Sequence, residues 1–246
     1  MKNHRPRILQ IVVMAWLFLT SMSPQALAQK KPLKYPNGVP ISKGTIFSSL
    51  TFSAGSREAE NESQLLYYVV DQDKSNLEIR LDPGYVIKEN LAVGMGLLYG
   101  YNKENRLQRS SDGILTDYRS YQRNFAFRPY VKNFIPLGNS HKFYVVIPTE
   151  LQFGYGSRVQ ESLTDGILAR TYTSTFFYGL EMRPGLLAFI VENFGFEVNV
   201  GAFGLSSSIE KIKKTNEPDG QVKNNDLSLK INLLQLSFGF AAYFNR

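Results

Sequence analysis

The chain has 246 residues, no cysteine and a formal net charge of +7. Without cysteine there is no disulfide to staple a small secreted fold and no acceptor for a lipoprotein's lipid, so stability has to come from packing and backbone pairing. Residues 1–28 read as a removable secretory signal carrying three bases and no acid, and the remaining charge of about +4 gives no ground for a nucleic-acid partner.

The signal consists of a basic start (Lys2, Arg5, Arg7), an apolar run from Ile8 to Leu19 and the small-residue exit Ala26-Leu27-Ala28. That run is too short to span a hydrocarbon core of ~30 Å, which takes about 20 residues. Residues 29–43, with prolines at 32, 36 and 40, form a polar periplasmic leader, and 44–246 form one domain. No later apolar run is long enough for a spanning helix, so a membrane reading rests on strands, which satisfy every backbone group only in a closed barrel.

Period-two alternation predicts eight such strands. The first covers Gly44 to Ser53. The second, Asn76 to Ile87, sets Leu77, Ile79, Leu81, Tyr85 and Ile87 against Glu78, Arg80, Asp82, Gly84 and Val86. After the tight turn Lys88-Glu89-Asn90, the third, Leu91 to Tyr101, alternates Val93, Met95, Leu97 and Tyr99 with Ala92, Gly94, Gly96 and Gly100, small inward residues that leave room for large neighbours in a narrow barrel. The fourth runs from Arg119 to Lys132, the fifth from Lys142 to Gly156, the sixth from Thr171 to Phe189 and the seventh from Phe194 to Leu205. In the eighth, Leu227, Leu229, Ile231 and Leu233 share one parity while Leu236, Phe238, Phe240 and Phe244 share the other, which predicts a β-bulge near Leu233-Leu234. A weak repeat, Asp82-Pro83-Gly84, Arg128-Pro129-Tyr130 and Arg183-Pro184-Gly185, recurs before three short turns; proline normally keeps to strand edges, so each copy is expected at a bulge or near the rim.

The connections alternate between short turns, at 88–90, 133–141 and 190–193, and long polar stretches read as loops, Ala54 to Ser75, Asn102 to Tyr118, Ser157 to Arg170 and Leu205 to Asp226. Short periplasmic turns and long extracellular loops are the asymmetry of outer-membrane barrels, which predicts the cell outer membrane as location and puts both termini on the periplasmic side. Tyr85, Tyr99, Tyr101, Tyr130, Tyr155, Tyr172, Phe194 and Tyr243 are assigned to the aromatic belts at the two interfaces.

The segments Pro83-Gly84-Tyr85-Val86-Ile87-Lys88-Glu89-Asn90-Leu91-Ala92-Val93-Gly94 and Leu236-Ser237-Phe238-Gly239-Phe240-Ala241-Ala242-Tyr243-Phe244 resemble the porin-like outer-membrane β-barrel family common in Bacteroidota, itself similar to the OmpA-type transmembrane domain. The resemblance covers the mature chain and implies an all-β, eight-stranded antiparallel transmembrane barrel. As partners it implies outer-membrane lipid and lipopolysaccharide, and the barrel-assembly machinery through the C-terminal strand. It names no extracellular partner.

With the apolar parity toward lipid, the interior set contains Glu78, Arg80, Asp82, Arg128, Glu150, Glu181, Arg183, Glu197 and Lys230, five acids against four bases, together with Gln152, Asn199 and Asn232. An unpaired buried ion costs several kcal/mol, so near-equal counts favour a salt-bridged plug over an open pore. Chemistry near neutral pH favours a histidine base; the only one after the signal, His141, falls in a periplasmic turn, and there is no metal-ligand spacing, phosphate-cradling loop or nucleophile elbow. The acids of the first loop, Glu58, Glu60 and Glu62, read as a solvated charge run rather than a divalent-cation site. The expected role is therefore non-enzymatic and cofactor-free: a structural or surface-interaction barrel acting through its extracellular loops. The alternatives are a narrow channel for small or apolar solutes and a soluble, lipocalin-like periplasmic binding barrel, which would turn the apolar parity inward.

Overall fold

The computed structural model describes residues 41–63, 67–138, 142–201, 203–214, 218–229 and 236–244. The predicted signal, most of the leader, His141, Lys230, Asn232 and the predicted bulge at Leu233-Leu234 lie outside the described residues. All regular structure described is antiparallel strand: β1 (Ile46–Ser63), β2 (Tyr67–Lys88), β3 (Leu91–Ser110), β4 (Leu115–Pro136), β5 (Phe143–Thr164), β6 (Ile167–Met182), β7 (Gly185–Val191), β8 (Phe194–Val200), β9 (Phe203–Lys214), β10 (Gly220–Leu229) and β11 (Leu236–Phe244).

Eight of these close a ring. β1 pairs with β2 and β11, β11 with β8, β8 with β7, β7 with β5, and β5 leads back through β4 and β3 to β2. The sixth and seventh predicted strands are each divided. Pro184 breaks the sixth because it has no N–H to give the ladder: β5 pairs with β6 as far as Thr149 opposite Met182 and resumes with β7 at Val146 opposite Gly185, and the Arg183 N–H bonds the Pro148 carbonyl in between. In the seventh, Val198 and Val200 share the outward phase below the break, whereas Leu205, opposite the outward-facing Leu180, carries it above, so the phase changes between Val200 and Phe203. The eighth changes phase in the same way, with Leu227 opposite Leu205 in β10 and Phe238 opposite Val198 in β11.

The repeat prolines in the second and fourth strands sit inside central strands, not at the rim. The β2–β3 ladder skips Asp82 and Pro83 between Leu81–Leu97 and Gly84–Gly94, and the β4–β5 ladder skips Arg128 and Pro129 between Phe127–Phe153 and Tyr130–Glu150. The Tyr130 hydroxyl donates to the Pro83 carbonyl at 3.0 Å and lies 3.2 Å from that of Asp82, which satisfies acceptors the ladder leaves open.

The four stretches read as loops are hairpins. Most of Ala54 to Ser75 lies in β1 and β2, paired register for register from Ala54–Leu77 to Glu60–Asp71. Asn102 to Tyr118 continues β3 and β4 around a turn closed by Ser110 and Ile114, Ser157 to Arg170 continues β5 and β6, and Leu205 to Asp226 is largely β9 and β10. These segments have water on both faces, so the alternation that marks a half-buried strand is absent although the ladder persists. The tightest of them turns at Asp165 and Gly166, with φ of 48° and 80°, the left-handed pair of a two-residue hairpin. Gly166→Val is expected to fray only the tip, at a cost of about 1–2 kcal/mol for a branched residue in the left-handed region, and hydrogen exchange should quicken at the ends of β5 and β6 while the ring keeps its protection.

Outside, the wall is apolar: Met95, Leu97, Phe125, Phe153 and Leu186 all stand exposed. Inside, the end bearing the short turns is floored by Ile41, Phe47, Val86, Phe134, Tyr144, Leu187, Phe189 and Tyr243, all buried. Phe47 stacks on Tyr243 at 5.3 Å between ring centroids and meets Phe134 edge-on at 6.0 Å. Tyr130 and Tyr243 are thus lumen residues rather than members of an aromatic belt. Tyr130 shares the inward parity of Arg128, and Tyr243 that of Ser237, Gly239 and Ala241, and strand parity overrides the preference of tyrosine for interfaces.

Candidate functional site

Above the aromatic floor the lumen is filled by ion pairs in ascending tiers. Lowest is Lys132, whose Nζ donates to both Glu197 oxygens at 2.8 and 2.6 Å and lies 5.6 and 5.4 Å from the Phe47 and Phe134 ring centroids. Asn199 Nδ2 gives Glu197 a further bond of 2.9 Å. The ammonium thus sits between a carboxylate and two ring faces, an arrangement that offsets its loss of water.

The middle tier centres on Arg128, whose side chain is fully buried. Its Nη1 donates to both oxygens of Glu150, each at 3.0 Å, and its Nη2 to Asp82. Glu150 also accepts from Arg80 Nη1 at 3.2 Å, and the Arg80 Nε reaches Glu78. The upper tier belongs to Arg183, which donates to Ser237 Oγ at 2.8 Å and lies 3.8 Å from Glu181 and 4.0 Å from Glu78; Gln152 Nε2 holds Glu181.

Chain geometry explains how these side chains meet. Each of Asp82, Arg128 and Arg183 immediately precedes a repeat proline, so each sits where the wall's hydrogen bonding is interrupted and the side chain points into the lumen. Glycines on the inward parity make the space: a Cβ at Gly96 would stand 3.1 Å from Arg128 Nη2 and closer still to Asp82 Oδ1.

Of the interior residues named from the sequence, the structure brings Glu78, Arg80, Asp82, Arg128, Glu150, Glu181 and Arg183 into one network, while Glu197 stands a tier lower with Lys132. Lys132 is the member missing from the set drawn from the sequence. Alternation ends the fourth strand at this residue, whereas β4 continues to Pro136, and its even number, shared with Arg128 and Tyr130, is the signal that marks it as inward.

The network leaves a cavity of only about 30 Å³ among Thr51, Arg80, Arg128, Glu150, Arg183 and Glu197, room for about one or two waters. Farther from the floor the lumen widens to a cup of about 290 Å³ bordered by Asn76, Glu78, Gln152 and Glu181, and then to a polar space of about 300 Å³ by Lys74, Glu104, Tyr118 and Arg158. Among the described residues no group of three histidine, aspartate or glutamate side chains is placed to hold a metal ion. The interior carboxylates face guanidinium, ammonium or amide groups rather than a nucleophile.

No family model matches the chain, and no curated protein is similar to it. Among solved structures it is similar to a major outer membrane protein from Thermus thermophilus, at 13% identity and a TM-score of 0.44 over 81% of this chain and 99% of that one. It is similar also to the outer membrane protein OprG from Pseudomonas aeruginosa, at 12% identity and 0.43 over 85% and 100%, and to the attachment invasion locus protein Ail of Yersinia pestis, at 17% and 0.29 over 82% and 99%.

Proposed function

We propose that this chain is an integral outer-membrane barrel with its lumen closed by ion pairs, and that it acts without catalysis through the hairpins projecting from the end opposite the floor. The observation that carries this reading is Arg128, fully buried between Asp82 and Glu150 above a sealed aromatic floor. An eight-stranded ring has an interior that side chains can just fill, and here the charged side chains around Arg128 leave only about 30 Å³ between them. The wall supports the membrane setting. Met95 at 59%, Phe125 at 58% and Leu186 at 57% exposure belong to a continuous outward apolar surface, far beyond what a water-soluble protein normally leaves uncovered; a lipocalin-like soluble barrel would need that set inside.

The test is conductance across planar lipid bilayers, comparing the wild type with an Arg80→Ala, Arg183→Ala double variant. The wild type is expected to be silent, and so is this variant, because removing two guanidinium groups joins the cup above to the cavity below but leaves the floor closed; adding Phe47→Ala and Tyr243→Ala is expected to give discrete steps. Discrete steps in the wild type would overturn the closed-lumen reading in favour of a narrow channel.

A further inference from the structure

We propose that the mouth of the lumen is a binding site for a small phosphomonoester, its phosphate held between Lys74 and Arg158 and its uncharged, polar body lowered into the amide-lined cup beneath. The site goes beyond the closed-lumen reading, which adds only that the ligand leaves by the end through which it entered.

Strand register brings the two cations to one space. Lys74 of β2 is opposite Glu104 of β3, and Glu104 is opposite Ser120 of β4. One row nearer the floor, Asn76, Asn102, Gln122 and Arg158 stand opposite one another from β2 to β5. Lys74 shares the even numbering of Arg80 on β2, and Gln122 that of Arg128 on β4, so both rows face the lumen. Lys74, Glu104, Tyr118, Ser120, Gln122 and Arg158 border the polar space of about 300 Å³, at the lower end of the range of about 300–1,000 Å³ usual for small-molecule sites.

The groups that meet there are donors. Neither Lys74 nor Arg158 has a carboxylate partner among the described residues, and Arg158 engages only its Nε, which donates to Gln122 Oε1 at 3.1 Å. The Tyr118 hydroxyl accepts from Gln160 Nε2, which leaves its own proton to give, and the Arg106 guanidinium 4.6 Å above the ring holds it in place. With the Ser120 hydroxyl, two cations and two hydroxyls converge. They supply more N–H and O–H groups than the four or so sites of a carboxylate accept, and suit the three oxygens of a phosphate. Glu104 is the acid among the bordering residues. It is already engaged by Gln72 Nε2 at 2.8 Å and by Arg106 Nη1 at 3.4 Å, while Arg57, opposite Lys74, adds a further positive charge. Glu210 of β9, opposite Thr175 and on the inward parity, does not border this space. The cup beneath differs. There Glu78 and Glu181 answer Arg80 and Arg183, so no surplus positive charge is left for a phosphate, whereas Asn76, Asn124 and Gln152 carry amides that both donate and accept, as the hydroxyls of a sugar do. Charge therefore belongs at the mouth and the neutral part of the ligand below it.

The experiment titrates the purified, detergent-solubilised protein with glucose 6-phosphate, inorganic phosphate, succinate and glucose by isothermal titration calorimetry, after heat-dependent gel mobility has established that each variant is a folded barrel. Glucose 6-phosphate is expected to bind about tenfold more tightly than inorganic phosphate, the margin of one or two added hydrogen bonds, and succinate and glucose more weakly than either. The variant Lys74→Gln, Arg158→Gln is expected to weaken the sugar phosphate by about tenfold or more, and Tyr118→Phe, which keeps the ring beneath Arg106 but removes the donor, by about fivefold. The variant Lys211→Gln, Lys213→Gln removes as much charge from the outward face of β9 and should bind as the wild type does. A wild type that binds no phosphate, or a Lys74→Gln, Arg158→Gln variant that binds as tightly as the wild type, overturns the proposal. Inorganic phosphate bound as tightly as the ester overturns the ester in favour of the free anion, and succinate or glucose bound as tightly as glucose 6-phosphate overturns the phosphate chemistry. Bilayer conductance keeps the two readings apart: steps from a wild type that still binds the ester overturn the closed lumen and leave the site standing, whereas silence without binding overturns the site alone.

Discussion

Replacing Arg128 with methionine is expected to lower the unfolding free energy by about 3–5 kcal/mol, the usual cost of removing one partner from a buried ion pair. Methionine fills much the same volume, so the loss is electrostatic rather than steric. Asp82 and Glu150 both lean on this one guanidinium, and once it is gone the cation left beside Glu150 is Arg80, at 3.2 Å. Urea unfolding in phospholipid vesicles, followed by gel mobility, measures the deficit. The triple variant Arg128→Met, Asp82→Asn, Glu150→Gln should recover much of it, since neutral partners no longer require a counter-charge. A single variant as stable as the wild type would show that water, not Arg128, balances the two carboxylates. The recovery also separates a missing partner from a missing shape, because the triple variant leaves the volume of the methionine unchanged.

The second large effect is steric. A Cβ at Gly94 would lie 2.3 Å from Tyr130 Cζ and 2.4 Å from the backbone oxygen of Pro83, and neither can yield cheaply. The ring is held by its hydroxyl bond to that same Pro83 carbonyl, and the carbonyl belongs to the wall. Gly94→Ala is therefore expected to cost about 3 kcal/mol, at the upper end for overpacking, and to reduce the yield of folded barrel from refolding reactions. Gly100 is the control. It shares the strand and the inward parity, yet a Cβ there meets nothing nearer than 3.7 Å, so Gly100→Ala should be neutral or mildly stabilising. Equal losses at the two sites would mean that strand glycines matter here for backbone freedom rather than for the space they give Tyr130.

How much of this was legible in the sequence depended on whether one face of a strand was dry. In the second strand Glu78, Arg80 and Asp82 alternate with Leu77, Ile79 and Leu81, so parity alone separates lumen from lipid. Beyond the bilayer both faces are wet and the alternation fades, so that Asn102 to Tyr118 reads as a loop although it pairs residue for residue. There the turn chemistry was still visible in Asp165-Gly166, a strong hairpin signal. Tyr130 and Tyr243 were misplaced because a composition rule, aromatics at interfaces, was set above position in the alternation. The division of the seventh strand was hidden for another reason: the phase changes within the short interval between Val200 and Phe203, and so short an interval leaves no mark on a hydrophobicity pattern. The proline repeat was visible, but its position inside central strands depends on Tyr130 reaching the carbonyls of Asp82 and Pro83, a contact between strands that no local reading supplies.

The hairpins that replace the expected loops change the thermodynamics of contact at that end of the barrel. A flexible loop has to surrender backbone freedom of about 1–2 kcal/mol per residue when a partner fixes it. The tips of β3–β4 and β5–β6, with Ile114, Leu115, Ile167 and Leu168 exposed on them, are already held by ladders that run unbroken from the bilayer side of the sheet to the last pair, Arg109 with Leu115 and Thr164 with Ile167. Whatever meets those tips meets a surface whose ordering was completed when the barrel folded, so the free energy of the encounter goes into the interface itself.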